Sequence, residues 1–202
     1  MSLRPNLPTT VIIDGPHAYM AARTLGFEID FRRLRDWLDR TCQPRHLLYY
    51  TTVLDTPEGD RNPLAPLVNW LVYNGYRVET KPVREFVDEE TGRRRIRGNT
   101  VAELTVALLE ATQWASQVLL LGGDGDLKAG VEAAQRRGVR VVLTSTVKSS
   151  PPLCSDELRR AADAFIDLGD LAGEIGKDGG QGRTKPGGSG GARGKSGGGD
   201  AV

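Results

Sequence analysis

The chain has 202 residues, 39% of them hydrophobic, and its 27 Lys/Arg against 26 Asp/Glu give a formal charge of +1, which excludes a globally basic nucleic-acid binder while leaving room for a local basic groove. Cys42 and Cys154 stand far apart with no CxxC spacing and no histidine cluster, arguing against a disulfide framework or a zinc site. No run approaches the ~18 apolar residues of a membrane span, and the first residues lack a signal-peptide-like apolar core, so the sequence reads as that of a cytoplasmic protein without a membrane partner.

Composition sets the domain boundary. Residues 173–202 contain 13 glycines and no aromatic residue, too little apolar surface to offset the entropy of ordering. The expected organisation is one domain over 1–172, a length that can bury a full core, and a disordered Gly-rich tail over 173–202.

Taken in order, Thr9 to Asp14 is a β-branched run ending in an acid and broken by Gly15-Pro16, which predicts the first strand. His17 to Leu25 predicts a short helix stopped by Gly26. Asp30 to Thr41 predicts a second, with Asp30 as N-cap and Phe31, Leu34, Trp37 and Leu38 on its core face. His46 to Leu54 reads as strand two, Asn62 to Asn74 as a helix closed by Gly75, and Tyr76 to Val83 as strand three. Arg84 to Gly98 reads as an exposed hairpin turning at Glu90-Thr91-Gly92, its return arm carrying Arg93, Arg94, Arg95 and Arg97. A helix from Asn99 to Ala115 follows, with Asn99 as N-cap. Strand four (Val118 to Leu121), a helix over Asp126 to Arg137 closed by Gly138, strand five (Val139 to Leu143), a helix over Ser155 to Ala162 and a strand over Ala164 to Leu168 complete the pattern.

Strands alternating with helices specify an α/β domain with a central, mainly parallel, doubly wound sheet and right-handed crossovers. In the usual strand order the first and fourth strands are neighbours, and ligands sit beyond the carboxyl ends of such strands. Asp14 is thereby expected beside Asp124 and Asp126. Three converging carboxylates repel one another unless a cation lies between them, and hard oxygen ligands favour Mg²⁺ or Mn²⁺. The competing reading is structural: Asp126 as the N-cap of the following helix, Asp124 as a turn former. Gly123-Asp124-Gly125-Asp126-Leu127-Lys128 is a poor dinucleotide loop, with a carboxylate where pyrophosphate would lie, and no P-loop is present.

Four blocks together, Val11-Ile12-Ile13-Asp14-Gly15-Pro16-His17, Arg97-Gly98-Asn99, Leu121-Gly122-Gly123-Asp124-Gly125-Asp126-Leu127 and Ala162-Asp163-Ala164-Phe165-Ile166-Asp167-Leu168, resemble an NYN domain of the LabA-like type over about Thr9 to Leu168. The resemblance implies a PIN-like (Rossmann-like) three-layer fold and a metal-dependent ribonuclease. Asp14, Asp124 and Asp126 match the family's catalytic, metal-holding acids. Mg²⁺ or Mn²⁺ is the implied cofactor and single-stranded RNA the implied substrate; His17, Arg94, Arg95, Arg97 and Asn99, by their chemistry and their place near the acids, are the expected substrate contacts.

The chain also departs from the pattern. His17 stands where the family's first block has asparagine, Val101 and Ala107 stand where it has aspartates, and Gly122 replaces a serine. Glu103 lies two positions from Val101, about 200° round a helix, and should face away. Fewer acids mean a weaker ion site, so the sequence leaves two functions open: hydrolysis of RNA phosphodiester bonds at a partly degenerate acidic site, or a non-catalytic RNA-binding or regulatory protein that keeps the fold. The arginine run reads either as a solvated arm or as a phosphate contact. His17 reads as a metal or phosphate ligand or as a local hydrogen-bonding group, and Asp163 as structural. The tail, with Arg183, Lys185, Arg193 and Lys195 among its glycines, reads as a solvated extension more than an RNA-associated segment. A homo-oligomer is left open.

Overall fold

The computed structural model describes residues 3–54, 63–87 and 94–178, with backbone alone at 85–87 and 94–97. Its sheet contains β1 (Pro8–Asp14), β2 (Gln43–Leu54), β3 (Arg77–Val87), β4 (Arg94–Arg97), β5 (Gln117–Leu121), β6 (Arg140–Ser145) and β7 (Ala164–Asp167), in the order β4-β3-β2-β1-β5-β6-β7. Six strands run parallel and β4 pairs antiparallel with β3 at the edge, Arg84 opposite Arg97. The switch point falls at β1, which pairs with β2 on one side and β5 on the other. Chain direction therefore reverses its march across the sheet where Asp14 stands.

The apolar content of β1 and β5 explains their central place. Val11, Ile12, Ile13 and Val118 to Leu121 are all buried, since both faces of these strands are covered. On one face α1 (Gly15–Thr24), α2 (Phe31–Thr41), α3 (Ala65–Tyr73) and α7 (Ala172–Ile175) pack through Ala21, Leu38, Leu71 and Ile175 against Ile13 and Leu121. On the other, α4 (Val101–Ala111), α5 (Lys128–Arg136) and α6 (Asp156–Ala161) pack through Leu104, Leu108, Val131 and Leu158 against Ile12 and Leu120. The result is the expected three-layer α/β architecture.

Local chemistry sets most helix ends. Asp30 caps α2, its Oδ1 accepting from the backbone of Arg32 (2.9 Å) and Arg33 (3.2 Å). Gly75 and Gly138 follow α3 and α5 at φ 83° and 84°, the left-handed conformation that terminates a helix.

Some boundaries differ from the sequence reading, and some expected ones lie outside the described residues. Helix α3 begins at Ala65, with proline in its first turn, and the expected start at Asn62 lies outside the described residues. Helix α4 begins two residues past Asn99: Thr100 occupies the cap position without a side-chain bond, and Asn99 Oδ1 accepts from Val101 N–H at 3.3 Å. The turn of the hairpin, Arg93 included, lies outside the described residues. The described fold also runs past residue 172, through α7. Ile175 is fully buried, Gly176 bridges Ile29, and Arg33 donates to the carbonyls of Gly173, Glu174 and Gly176, so residues 173–178 belong to the fold. A single isoleucine and a guanidinium more than 130 residues away hold this segment, a long-range pairing that composition does not reveal. Residues 179–202 lie outside the described part.

Candidate active-site cleft

Strand β1 delivers Asp14 and strand β5 delivers Gly122-Gly123-Asp124 to the same edge of the sheet, since Ile13 is paired with Leu121. Asp14 is 8% exposed. Burial is the main reason its carboxyl rises to about 6; the His17 backbone N–H opposes this, donating to Oδ1 at 3.4 Å, and the charge of Asp124 adds to it. The same bond makes Asp14 the N-cap of α1. One carboxylate thus ends the central strand, starts a helix and faces the cleft.

Asp124 is exposed and caps a 3-10 turn, Gly125 to Leu127, accepting from Asp126 N–H at 3.0 Å. This corrects the reading of Asp126 as the cap: a 3-10 turn precedes the helix, Asp124 caps that turn, Asp126 falls within it, and α5 starts at Lys128 after Leu127 without a side-chain cap. Asp126 is also exposed, and it is not among the charges that act on Asp14. Among the described residues no group of three or more His, Cys, Asp or Glu side chains is gathered closely enough to hold a metal ion. The three acids share one edge of the sheet, while the pair that interacts is Asp14 with Asp124.

His17 sits behind this pair. Its Nε2 is hydrogen bonded to Ser145 Oγ at 2.9 Å, and burial pushes its pKa down to about 4 although Asp124 pulls it up. The imidazole is neutral at physiological pH, so it serves as a hydrogen-bonding group and not as a cation. Gly123 makes this seat. A Cβ there would lie 2.3 Å from His17 Cε1 and 2.2 Å from the Leu153 carbonyl oxygen. Gly15 has a similar role, since a Cβ would meet the Tyr49 hydroxyl and ring at 2.6 Å. Tyr49 is buried, its phenol pushed up to about 12 by burial and secondarily by Asp14, and it stays protonated.

The donor chemistry can be compared with an ion's needs. Two carboxylates suit a hard cation such as Mg²⁺, which keeps several waters and takes the rest of its shell from substrate phosphate. They do not suit an ion that demands three or more protein donors, such as zinc. The altered positions on α4 add none: Ala107 is buried in the core, Val101 is partly buried and apolar, and Glu103 Oε1 is held by Lys81 Nζ at 2.8 Å.

Among the remaining expected site residues, Asn99 is exposed and occupied with the start of α4. Arg94, Arg95 and Arg97 lie on β4, three strands from β1, roughly 14 Å across the sheet at ~4.8 Å per strand. Asp163 is structural as expected, accepting from Val141 N–H at 2.8 Å and Gln135 Nε2 at 3.0 Å. Two residues of the cleft went unread in the sequence, Ser145 and Tyr49. Ser145 ends β6, and that placement at a carboxyl strand end is a signal the strand order carries; Tyr49 lies mid-strand in β2, level with Ile13, and only that register places it.

A parallel sheet switching direction at β1, with helices on both faces and acids at the ends of two central strands, defines a PIN-like domain. The chain belongs to the NYN domain family, whose sequence model matches residues 8–169. It is similar to the Low amplitude and bright protein LabA of Synechococcus elongatus, with 29% identity over 179 residues, covering 88% of this chain and 91% of that protein. Its fold is shared with a protein of unknown function from Vibrio parahaemolyticus, at a TM-score of 0.61 and 19% identity over 80% of this chain and 93% of that one. Family membership associates the chain with RNA and with nuclease chemistry that typically depends on a divalent metal. Among the described residues no helix is long and apolar enough to cross a membrane.

Proposed function

We propose that the chain is a divalent-metal-dependent ribonuclease that hydrolyses phosphodiester bonds of single-stranded RNA through a reduced acidic site. The observation that carries this reading is the pair Asp14 and Asp124. A buried carboxyl whose pKa is raised by its surroundings and by a second carboxylate is an unfavourable arrangement that a cation relieves. In this reading Asp14 and Asp124 hold Mg²⁺ or Mn²⁺, with Asp126 at the rim. The ion would supply a polarised water and charge stabilisation at the phosphoryl group. Neutral His17, steadied by Ser145, offers a hydrogen bond to a phosphate oxygen without adding charge. Protonated Tyr49 and the two close-packed glycines keep the cleft floor rigid and free of bulk.

The test is cleavage of end-labelled RNA of mixed sequence with Mn²⁺ added. Asp124→Asn and Asp14→Asn should each lower the rate at least ~100-fold, the scale of losing a charge that stabilises the transition state. Cleavage unchanged by either substitution excludes this site.

A second reading has its own support. Val101 and Ala107 in place of acids, together with Glu103 engaged by Lys81, favour a protein that binds RNA in a regulatory role without turnover. It calls for salt-dependent RNA binding with no metal-dependent cleavage. Binding and cleavage measured on the same preparation separate the two.

A further inference from the structure

A groove of about 1300 Å³ reaches Gly15, the residue after Asp14, and is walled by α1 and α3, with Tyr19, Arg23, Phe31, Tyr49 and Trp70 among its lining. Its inner end touches the candidate site, because Gly15 follows Asp14 directly and Tyr49 lies against Gly15 while sensing the charge of Asp14. We propose that this groove seats unpaired bases of the RNA strand whose backbone crosses Asp14 and Asp124, by stacking on Tyr19 and Trp70; the proposal rests on the RNA reading above.

Three features favour this occupant. Tyr19 is 60% exposed, which is unusual for so large a ring on a helix, and it is not loose: Arg23 Nη1 donates to its hydroxyl at 2.9 Å and the guanidinium lies 5.9 Å from the ring centroid. A ring held in place by its own helix binds a base with little ordering cost. Trp70, one turn inside α3, is partly buried against the core and lines the opposite wall.

Charge also fits a polyanion. The acids lining the groove are already engaged: Glu28 with Lys177 at 2.6 Å, Asp178 with Arg33 at 2.6 Å, and Asp30 with the first amides of α2. Arg23 and Arg32 line the same groove, and no carboxylate among the described residues lies within ion-pair distance of either. The groove therefore presents aromatic rings and two guanidiniums without a carboxylate partner among the described residues, Arg23 tied to Tyr19, the combination that single-stranded nucleic acid uses: stacking for bases, cations for the backbone.

The proposal is tested with fluorescein-labelled oligouridylate and the full chain, at low salt with EDTA present to suspend hydrolysis. Tyr19→Ser, at an exposed position that does not threaten the fold, and Trp70→Leu should each weaken binding about tenfold, the scale of one lost base stack. Arg32→Gln should reduce the slope of log affinity against log salt by about one. Binding should also quench tryptophan emission, and Trp70→Phe should abolish the quench while keeping affinity within about threefold, since phenylalanine still stacks. Wild-type binding that is indifferent to Tyr19→Ser and Trp70→Leu overturns the groove while leaving the RNA reading in place. Absence of binding by the wild type overturns both.

Discussion

Asp14 and His17 titrate in opposite senses, which makes the cleft readable through stability alone. The Asp14 carboxyl binds its proton at about 6 in the folded chain against 3.8 ordinarily, so the folded state gains relative to the unfolded one as pH falls from about 6 toward 4. His17 binds its proton at about 4 against 6.5, so the folded state loses over the same interval. The wild type should show little slope from these two groups. His17→Gln should become more stable on acidification in urea melts at pH 7 and 5, and Asp14→Asn less stable. At pH 7, without divalent ions, Asp14→Asn should exceed the wild type by up to ~3 kcal/mol, the order set by a shift from 3.8 to about 6 in a buried group. Gly123→Ala is the steric counterpart. With no room beside His17 and the Leu153 carbonyl it should cost ~1–3 kcal/mol and perturb the imidazole resonances of His17. At this scale the sequence was partly legible. Asp14 and Asp124 could be placed on one edge of the sheet because the alternation of elements dictates the strand order, although both also serve as caps there. The bond from His17 to Ser145 could not, because it joins residues 128 positions apart through a close approach that only coordinates reveal.

Among the elements, α2 and α7 behave as one unit. The Arg33 side chain of α2 gathers the carbonyls of Gly173, Glu174 and Gly176, placing a cation at the carboxyl end of α7 where the helix dipole favours it. Ile175→Ala should cost ~2–5 kcal/mol as a fully buried truncation. Ending the chain at residue 172 should destabilise it at least as much, measured by thermal melting. Asp30→Ala removes the cap of α2 and should cost ~1 kcal/mol. Element existence and type were legible along most of the chain because apolar periodicity and turn chemistry agree there. In α2 the cap, the stripe of Leu34, Trp37 and Leu38, and the exposed Arg32 and Asp36 all pointed one way. Helix α7 was not legible, since four residues leading into a glycine-rich stretch carry no periodicity and are ordered by packing alone.

For the whole molecule, the decisive feature is the strand order. That order brings Asp14 and Asp124 to one edge of the sheet from more than 100 residues apart. The side-chain geometry beyond that was not legible, and Asp126 shows why: a 3-10 turn in place of a regular helix start changes which acid serves as the cap. A divalent ion that binds the folded chain alone must raise its melting temperature in proportion to the logarithm of ion concentration. Mg²⁺ or Mn²⁺ should do so for the wild type, and neither should for Asp14→Asn at the same concentrations. The central position of β1 also has a kinetic face. Its amides are bonded on both sides and covered on both faces, so their exchange with solvent deuterium should require global opening, whereas Gly125 to Leu127 form a single exposed-edged turn that can open by itself. Asp14 and Asp124 therefore belong to regions that open on different timescales. An ion held between them would tie the quick region to the slow one, and amide exchange across Gly125 to Leu127 should slow on ion binding while that of β1 stays as it was.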